Sequence, residues 1–195
     1  MKSITLQRQR RIWEVLKNRQ SDFRLIMDNI HDPHNVSAIM RSCDAFGIPL
    51  IYLYYTDNNF PEIGHKTSGS ACKWIYTEKH SGPDTLTRTL IQEGYQIIST
   101  GKSETSYSIL DLDLTKPTAI VLGNEHKGIS PEIKACAHKE VYIPMQGMVE
   151  SLNVSVAAAI ILYEGWRQRI MSGTYQSSSS DPETLEKIFL EWSQK

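Results

Sequence analysis

The segment TAIVLGNEHKG, residues 118–128, decides the fold class. Its first five residues form a short continuous apolar run, which is typical of a buried strand in a parallel sheet. The run ends at Gly123 in a polar loop that a second glycine, Gly128, closes. Similar short apolar runs alternate along the chain with longer segments of helical periodicity. This alternation predicts an α/β fold with a mostly parallel sheet and helices on both faces.

The other elements follow from apolar periodicity and from the positions of glycine and proline. Strands are predicted at 23–27, 49–54, 73–77, 95–100, 118–122 and 140–143. Helices are predicted at 6–20, 35–46, 83–93, 130–137, 153–170 and 182–193, with a flexible serine spacer at 177–180. Ligands bind beyond the carboxyl ends of the strands in such sheets, so we expect the site after Met27, Thr100, Leu122 and Ile143.

The distribution of charge is more informative than its total. The 195 residues include 21 basic and 22 acidic side chains, and a net charge of -1 argues against a nucleic-acid partner. Residues 1–24, however, hold seven basic and two acidic side chains, a local charge of +5. On charge alone, a solvated helix face is the favoured interpretation of this segment and a polyanion-binding patch is the alternative.

Membrane and secreted proteins are excluded as classes. The longest nearly apolar run, residues 154–163, is shorter than the ~18–20 residues that a spanning helix needs. The first residues turn polar at once and lack the apolar stretch of a signal peptide. The cysteines Cys43, Cys72 and Cys136 are widely separated, so we expect reduced thiols in a cytoplasmic protein. The six histidines lack ligand spacing, and no metal site is predicted.

Two phosphate-loop candidates fail. Gly101-Lys102-Ser103 follows a predicted strand, but the motif needs a glycine five positions earlier, where Gln96 stands. The loop 123–128 has two correctly spaced glycines, but Ile129 follows in place of the required lysine. No nucleotide-binding loop is therefore predicted.

Three segments carry the remaining chemistry: residues 34–41, a polar turn that enters a helix; 120–129, a strand and its loop; and 143–159, a glycine-containing loop before an apolar helix. Glycines in such loops let backbone approach a ligand closely. Ser151 and Asn153 precede a helix, so each could simply cap it, a role worth roughly 1 kcal/mol. Taken singly, each segment has a structural explanation at least as good as a functional one.

Together and in this order, the three segments resemble the SpoU/TrmH family of RNA ribose 2′-O-methyltransferases. The resemblance covers residues 20–172, and the first twenty residues resemble the N-terminal helix of the branch that modifies tRNA guanosine 18. It implies a deep trefoil knot near the C-terminus, which no periodicity of the sequence indicates. It also implies a tRNA-contacting basic helix at 1–20, a methyltransferase domain at 21–172, and a spacer with a short helix at 173–195.

The resemblance implies S-adenosylmethionine as cofactor and assigns the site residues. The cofactor would be bound by Thr100, Leu122, Gly123, Ile143, Met145, Ser151 and Leu152. Catalysis would depend on Arg41, Asn35, Glu125, Ser151 and Asn153. RNA would be bound by Arg8, Arg10, Arg11, Lys17, Arg19 and Arg41. Glu125 would orient Arg41 or the knot loop.

The implied reaction is direct displacement of the sulfonium methyl by a ribose 2′-oxygen. Because a guanidinium stays protonated near neutral pH, we expect Arg41 to stabilise the developing alkoxide rather than remove its proton. The expected target is guanosine 18 of tRNA. The alternatives are another tRNA or rRNA nucleotide, or a non-catalytic RNA-binding member. The last long helix is apolar almost all round, which suits burial against another surface. The resemblance implies that this region forms a homodimer with a site built from both subunits; the alternative is a helix buried within one monomer.

Overall fold

The computed structural model describes residues 4–56, 59–61, 70–176 and 178–195. Within these ranges the helices are Leu6–Lys17 (α1), Pro33–Ala45 (α2), Pro83–Gln92 (α3), Pro131–Ala135 (α4), Val154–Met171 (α5) and Pro182–Ser193 (α6). The strands are Phe23–Asp28 (β1), Leu50–Tyr54 (β2), Tyr76–His80 (β3), Gln96–Thr100 (β4), Tyr107–Ser108 (β5), Thr118–Leu122 (β6) and Lys139–Tyr142 (β7). None of the described helices is both long and apolar enough to cross a membrane.

The strands form one parallel sheet in the order β3-β2-β1-β6-β4-β7-β5. Side chains alternate along each strand, so a central strand supplies two cores. Ile120 and Leu122 of β6 face a core shared with α2 and α5, whereas Ala119 and Val121 face a core shared with α3 and α4. The predicted α/β fold with helices on both faces is therefore confirmed.

One local prediction was wrong, and one short strand was not predicted. The strand predicted at 73–77 is displaced: Ala71–Lys73 is a 3₁₀ turn, and the strand begins at Tyr76. Its side chains are largely exposed because β3 lies at the sheet edge, so apolar periodicity is weak there. The polar stretch after Thr100 contains the edge strand β5 and a 3₁₀ turn, Ile109–Asp111. A two-residue strand is too short to have a readable period.

A third, smaller core joins the two ends of the chain. Ile12 and Leu16 of α1 are buried against Leu185 and Trp192 of α6. Trp13 stacks on Phe189 with ring centroids 4.6 Å apart. The predicted spacer also makes contacts here: the Ser179 hydroxyl donates to the Arg19 carbonyl over 2.8 Å. The N-terminal basic helix is thus anchored to the C-terminal helix.

Arg169 of α5 is fully buried and links three segments. Its guanidinium donates to the Asp22 carboxylate over 2.6 Å, to the Gln20 side chain, and to the carbonyls of Leu114 and Lys116. It also lies 4.9 Å from the centre of the Phe23 ring. Burial of a charge is tolerated when every donor is satisfied in this way.

Candidate active site

A pocket of about 500 Å³ lies at the carboxyl ends of β4, β6 and β7. The loop from Ile143 to Asn153 and the first turns of α5 close its other side. All seven residues predicted to bind the cofactor line it: Thr100, Leu122, Gly123, Ile143, Met145, Ser151 and Leu152. The pocket is therefore where parallel-sheet topology predicts a ligand site.

The lining of the pocket suits a nucleoside-containing ligand. Leu122, Ile143, Leu152 and Ile161 supply apolar walls, and the strand ends and loops contribute backbone groups. Its volume is within the ~300–1,000 Å³ range of small-molecule sites. S-adenosylmethionine, with an apolar purine face and a charged tail, fits this combination of apolar slot and polar rim.

The loop at 123–128 is shaped by its two glycines. Asn124 and Gly128 exchange two backbone hydrogen bonds of 2.9 Å, which closes the loop on itself. A Cβ at position 123 would lie 2.5 Å from the backbone of Gly128, and Gly128 itself has a φ of 73°. A side chain at position 123 would force the loop open, and one at position 128 would strain its left-handed backbone. This conformation holds Glu125 away from the strand and toward α2.

Glu125, Asn35 and Asn153 form one hydrogen-bonded chain across the three motif segments. The Asn35 amide donates to Glu125 over 2.7 Å, and the Asn35 carbonyl oxygen accepts from the Asn153 amide over 3.0 Å. Glu125 also accepts from the backbone N–H groups of His31 and Asp32. A carboxylate at the N-terminus of α2 is further favoured by the helix dipole. The network fixes the mutual position of α2, the 123–128 loop and the start of α5.

The network also determines the charge state of Glu125. Burial alone would raise the pKa of Glu125, but the hydrogen bonds from Asn35, His31 and Asp32 together outweigh it. The pKa is therefore lowered from its ordinary value of 4.5, and Glu125 is ionised at neutral pH.

Asn153 caps α5 and also joins the hydrogen-bonded network, while its part in catalysis stays a prediction. Its side-chain oxygen caps α5 by accepting from the backbone and hydroxyl of Ser155, over 2.8 and 2.6 Å. The same side chain uses its amide to bind Asn35. Ser151 lines the pocket as an exposed side chain and makes no hydrogen bond within the described part of the chain.

Arg41 lies two turns along α2 from Asn35 and is exposed. It does not line the pocket, and it forms no hydrogen bond or ion pair with the residues that the structure describes. The expectation that Glu125 orients Arg41 or the knot loop stays a prediction. Within one chain, the side-chain hydrogen bonds of Glu125 go to residues 31–35 and hold the entry to α2.

The predicted RNA-binding cations divide into two groups. Arg8, Arg10 and Arg11, here called the α1 arginines, lie on the outer part of α1, as does the exposed Lys17. Arg19 is only 4% exposed and pairs with Asp44 over 2.5 Å, while its guanidinium lies 5.4 Å from the Trp192 ring. The prediction that Arg19 contacts RNA is therefore corrected: it is a structural cation, since its partners already surround it.

The pocket extends beyond the seven predicted cofactor residues. Gly101, Lys102, Tyr142 and Glu150 line it as well. The signal for the first two was present, because Gly101-Lys102-Ser103 follows a strand at the ligand-binding edge of the sheet. Tyr142 and Glu150 had no such signal. In the described residues, no group of three His, Cys, Asp or Glu side chains is arranged to hold a metal ion.

Comparisons with known proteins agree with this geometry. A sequence model of the SpoU rRNA Methylase family matches residues 22–163. A protein of Thermus thermophilus named tRNA (guanosine(18)-2′-O)-methyltransferase is 41% identical over 195 residues, the full length of both chains. The crystal structure of an A. aeolicus TrmH/SpoU tRNA modifying enzyme superposes with a TM-score of 0.90 and 41% identity, covering 96% of this chain and 95% of that one. The SpoU methyltransferase AviRb of Streptomyces viridochromogenes, crystallised with AdoMet, gives a TM-score of 0.69 at 27% identity, covering 77% of this chain and 59% of that one.

Proposed function

Because this chain belongs to the SpoU rRNA methylase family, we propose that it transfers a methyl group from S-adenosylmethionine to the ribose 2′-oxygen of guanosine 18 in tRNA. The observation that carries the choice of target is similarity over the full length of a relative named for that reaction, which includes the basic helix α1. A tRNA substrate and S-adenosylmethionine as methyl donor follow from the same assignment.

The pocket residues would hold the cofactor. S-adenosylmethionine, when bound, supplies a methyl group already activated by its sulfonium. The apolar side chains of Leu122, Ile143 and Leu152 and the backbone at Gly123 would bind its nucleoside part. The network of Glu125, Asn35 and Asn153 holds these loops in one arrangement, so most of the catalysis lies in alignment.

Arg41 stabilises the negative charge that develops on the ribose oxygen. Its guanidinium is exposed and has no partner among the described residues, so it is available to RNA. A planar guanidinium can contact the 2′-oxygen and an adjacent phosphate at once, which an ammonium does less well. Arg41→Lys should therefore lower turnover strongly at unchanged tRNA affinity. Near wild-type turnover would contradict the need for guanidinium geometry.

We also propose a homodimer that completes the active site. Val156, Ile160, Tyr163 and Ile170 are exposed at helical spacing and form one face of α5, the α5 stripe. The opposite face, with Ile161 and Leu162, is buried in the core. An exposed apolar stripe of this length is typical of a protein interface. Since Arg41 does not line the pocket of its own chain, a second copy would supply it.

Subunit complementation tests this arrangement. Arg41→Ala keeps the pocket and Leu152→Arg fills it, so each homodimer should be inactive. If each site combines the pocket of one chain with Arg41 of its partner, a purified heterodimer of the two variants has one complete site. That site joins the intact pocket of the Arg41→Ala chain to Arg41 of the Leu152→Arg chain, so the heterodimer should regain about half of the wild-type activity. An inactive heterodimer would show that each chain carries its own complete site.

The family also implies a deep trefoil knot in the C-terminal part of the chain. We retain the division into a tRNA-contacting helix at 1–20, a methyltransferase domain at 21–172 and a C-terminal segment at 173–195. A cytoplasmic location follows from the tRNA substrate.

The proposed reaction is tested with unmodified tRNA transcripts and radiolabelled S-adenosylmethionine. Label should enter a transcript with guanosine 18 and should not enter the same transcript with adenosine there. An rRNA fragment serves as the competing substrate. Label in the rRNA fragment and in no tRNA would overturn the choice of target, and binding of the cofactor without transfer to either RNA would support a non-catalytic role.

A further inference from the structure

The charged side chains of the pocket are one lysine and two glutamates, counted over the described residues: Lys102, Glu125 and Glu150. This set complements the proposed cofactor, whose tail carries one carboxylate and two cations, the ammonium and the sulfonium. We propose that Lys102 binds the carboxylate of the methionine part of S-adenosylmethionine. The inference rests on the proposed function and assigns a role to the Gly101-Lys102-Ser103 segment that a phosphate loop does not explain.

Lys102 is held at the pocket wall. Its ammonium lies 5.9 Å from the centre of the Tyr142 ring, which itself lines the pocket. A cation over an aromatic face is attracted to it, so the ring restrains the lysine side chain. The position therefore places a positive charge at the pocket mouth, close to where a polar tail would leave the apolar slot.

Lys102 is also available for an anionic ligand. It forms no ion pair with any residue that the structure describes. Glu140, whose carboxylate contacts this loop, pairs with Lys134 over 2.6 Å and accepts a hydrogen bond from Ser103, and Glu104 within the loop forms no ion pair with Lys102. Gly101 lies so close to Glu140 that a Cβ there would be 2.6 Å from its carboxylate oxygen. The neighbouring acid is thus satisfied by other groups, and the Lys102 charge remains for a ligand carboxylate.

The test compares S-adenosylmethionine with its decarboxylated analogue, by titration calorimetry on the full chain. Wild-type protein should bind S-adenosylmethionine about three- to tenfold more tightly than the decarboxylated analogue, as expected for a partly exposed charge-assisted contact. Lys102→Met should remove this preference by weakening S-adenosylmethionine alone. Lys102→Arg should restore it in part. Lys187→Met, a change of an exposed lysine on α6, is the matched control and should leave both affinities unchanged.

The results distinguish a failure of the Lys102 proposal from a failure of the proposed function. Equal affinities of Lys102→Met and the wild type for S-adenosylmethionine, or an equal loss for both ligands, would overturn the role of Lys102 and leave the proposed function intact. Failure of the wild type to bind S-adenosylmethionine at all would overturn both.

Discussion

Replacing Asn35 by alanine removes the middle of the hydrogen-bonded chain that joins the three motif segments. The variant loses a 2.7 Å hydrogen bond to the ionised Glu125 and a 3.0 Å hydrogen bond from Asn153. A bond to a charged group is worth about 1.5–3 kcal/mol and a neutral one about 0.5–1.5 kcal/mol. Glu125 keeps the hydrogen bonds from two backbone N–H groups, and Asn153 keeps its hydrogen bond from Ser155, so neither partner loses all of its hydrogen bonds. We expect the free energy of unfolding to fall by about 2–3 kcal/mol, near the lower end of the two ranges combined.

Thermal unfolding measures this loss. For a chain of this size each 1 kcal/mol lowers Tm by about 2–4 °C, so Asn35→Ala should lower it by roughly 4–12 °C. The affinity for S-adenosylmethionine should fall as well, because the loops that form its pocket are no longer joined by hydrogen bonds through Asn35. Asn18→Ala is the matched control, since the exposed Asn18 amide makes a single bond to the Glu14 carbonyl. A shift for Asn35→Ala no larger than about 1 °C would refute the structural role of the network.

Asn35→Asp separates charge from shape. The new carboxylate would face Glu125 at hydrogen-bond distance, so the pair would bind one proton with a raised pKa in the folded state. The stability of Asn35→Asp relative to wild type should therefore be highest at about pH 5 and fall as pH rises to about 8. The pH dependence that Glu125 gives to wild-type stability has the opposite sign. Its lowered pKa stabilises the fold above pH 4.5, and this contribution is lost as pH falls through the folded pKa. If the free energies of unfolding of Asn35→Asp and wild type differ by the same amount at both pH values, the reasoning is contradicted.

Three further changes test other parts of the molecule. Arg169→Met should cost about 3–5 kcal/mol in urea unfolding, because it leaves Asp22 and two carbonyls without their buried donor; a loss below about 1 kcal/mol would count against the ion pair. Phe189→Ala should weaken tRNA binding while leaving S-adenosylmethionine affinity intact, since it removes the stack on Trp13. The control Leu190→Ala changes an exposed residue of the same helix and should leave both affinities unchanged; equal tRNA affinities in the two variants would refute the anchoring of α1. Neutralising the three α1 arginines should reduce the slope of log affinity against log salt by about 0.7–0.9 for each phosphate that α1 no longer neutralises, and an unchanged slope would exclude α1 from the RNA interface.

The sequence predicts the layered fold and the edge of the sheet where the pocket lies, because both depend on local signals. Apolar runs such as 118–122 mark buried strands, and topology alone places their ends at one edge. The seven cofactor positions needed the family resemblance, and all of them line one pocket. That placement agrees with the assigned binding role, which stays a prediction until binding is measured.

Two arginines show which features the sequence did not predict, and why. Arg19 belongs to the basic N-terminal segment, and nothing near it in sequence indicates burial. Its environment comes from Asp44 and Trp192, which only the tertiary fold brings together. Arg169 is similar, because its partner Asp22 lies 147 residues away. Local composition predicts charge, but the burial of a charge depends on long-range contacts.

A tRNA transcript with a single 2′-deoxyguanosine at position 18 tests the central claim most directly. This RNA lacks only the oxygen that is proposed to receive the methyl group, so binding measured by filter retention should match that of the normal transcript. Methyl transfer should be complete with the normal transcript and absent with the deoxy transcript. Equal incorporation of label into both would contradict the account, since the methyl group would then enter another atom or another nucleotide.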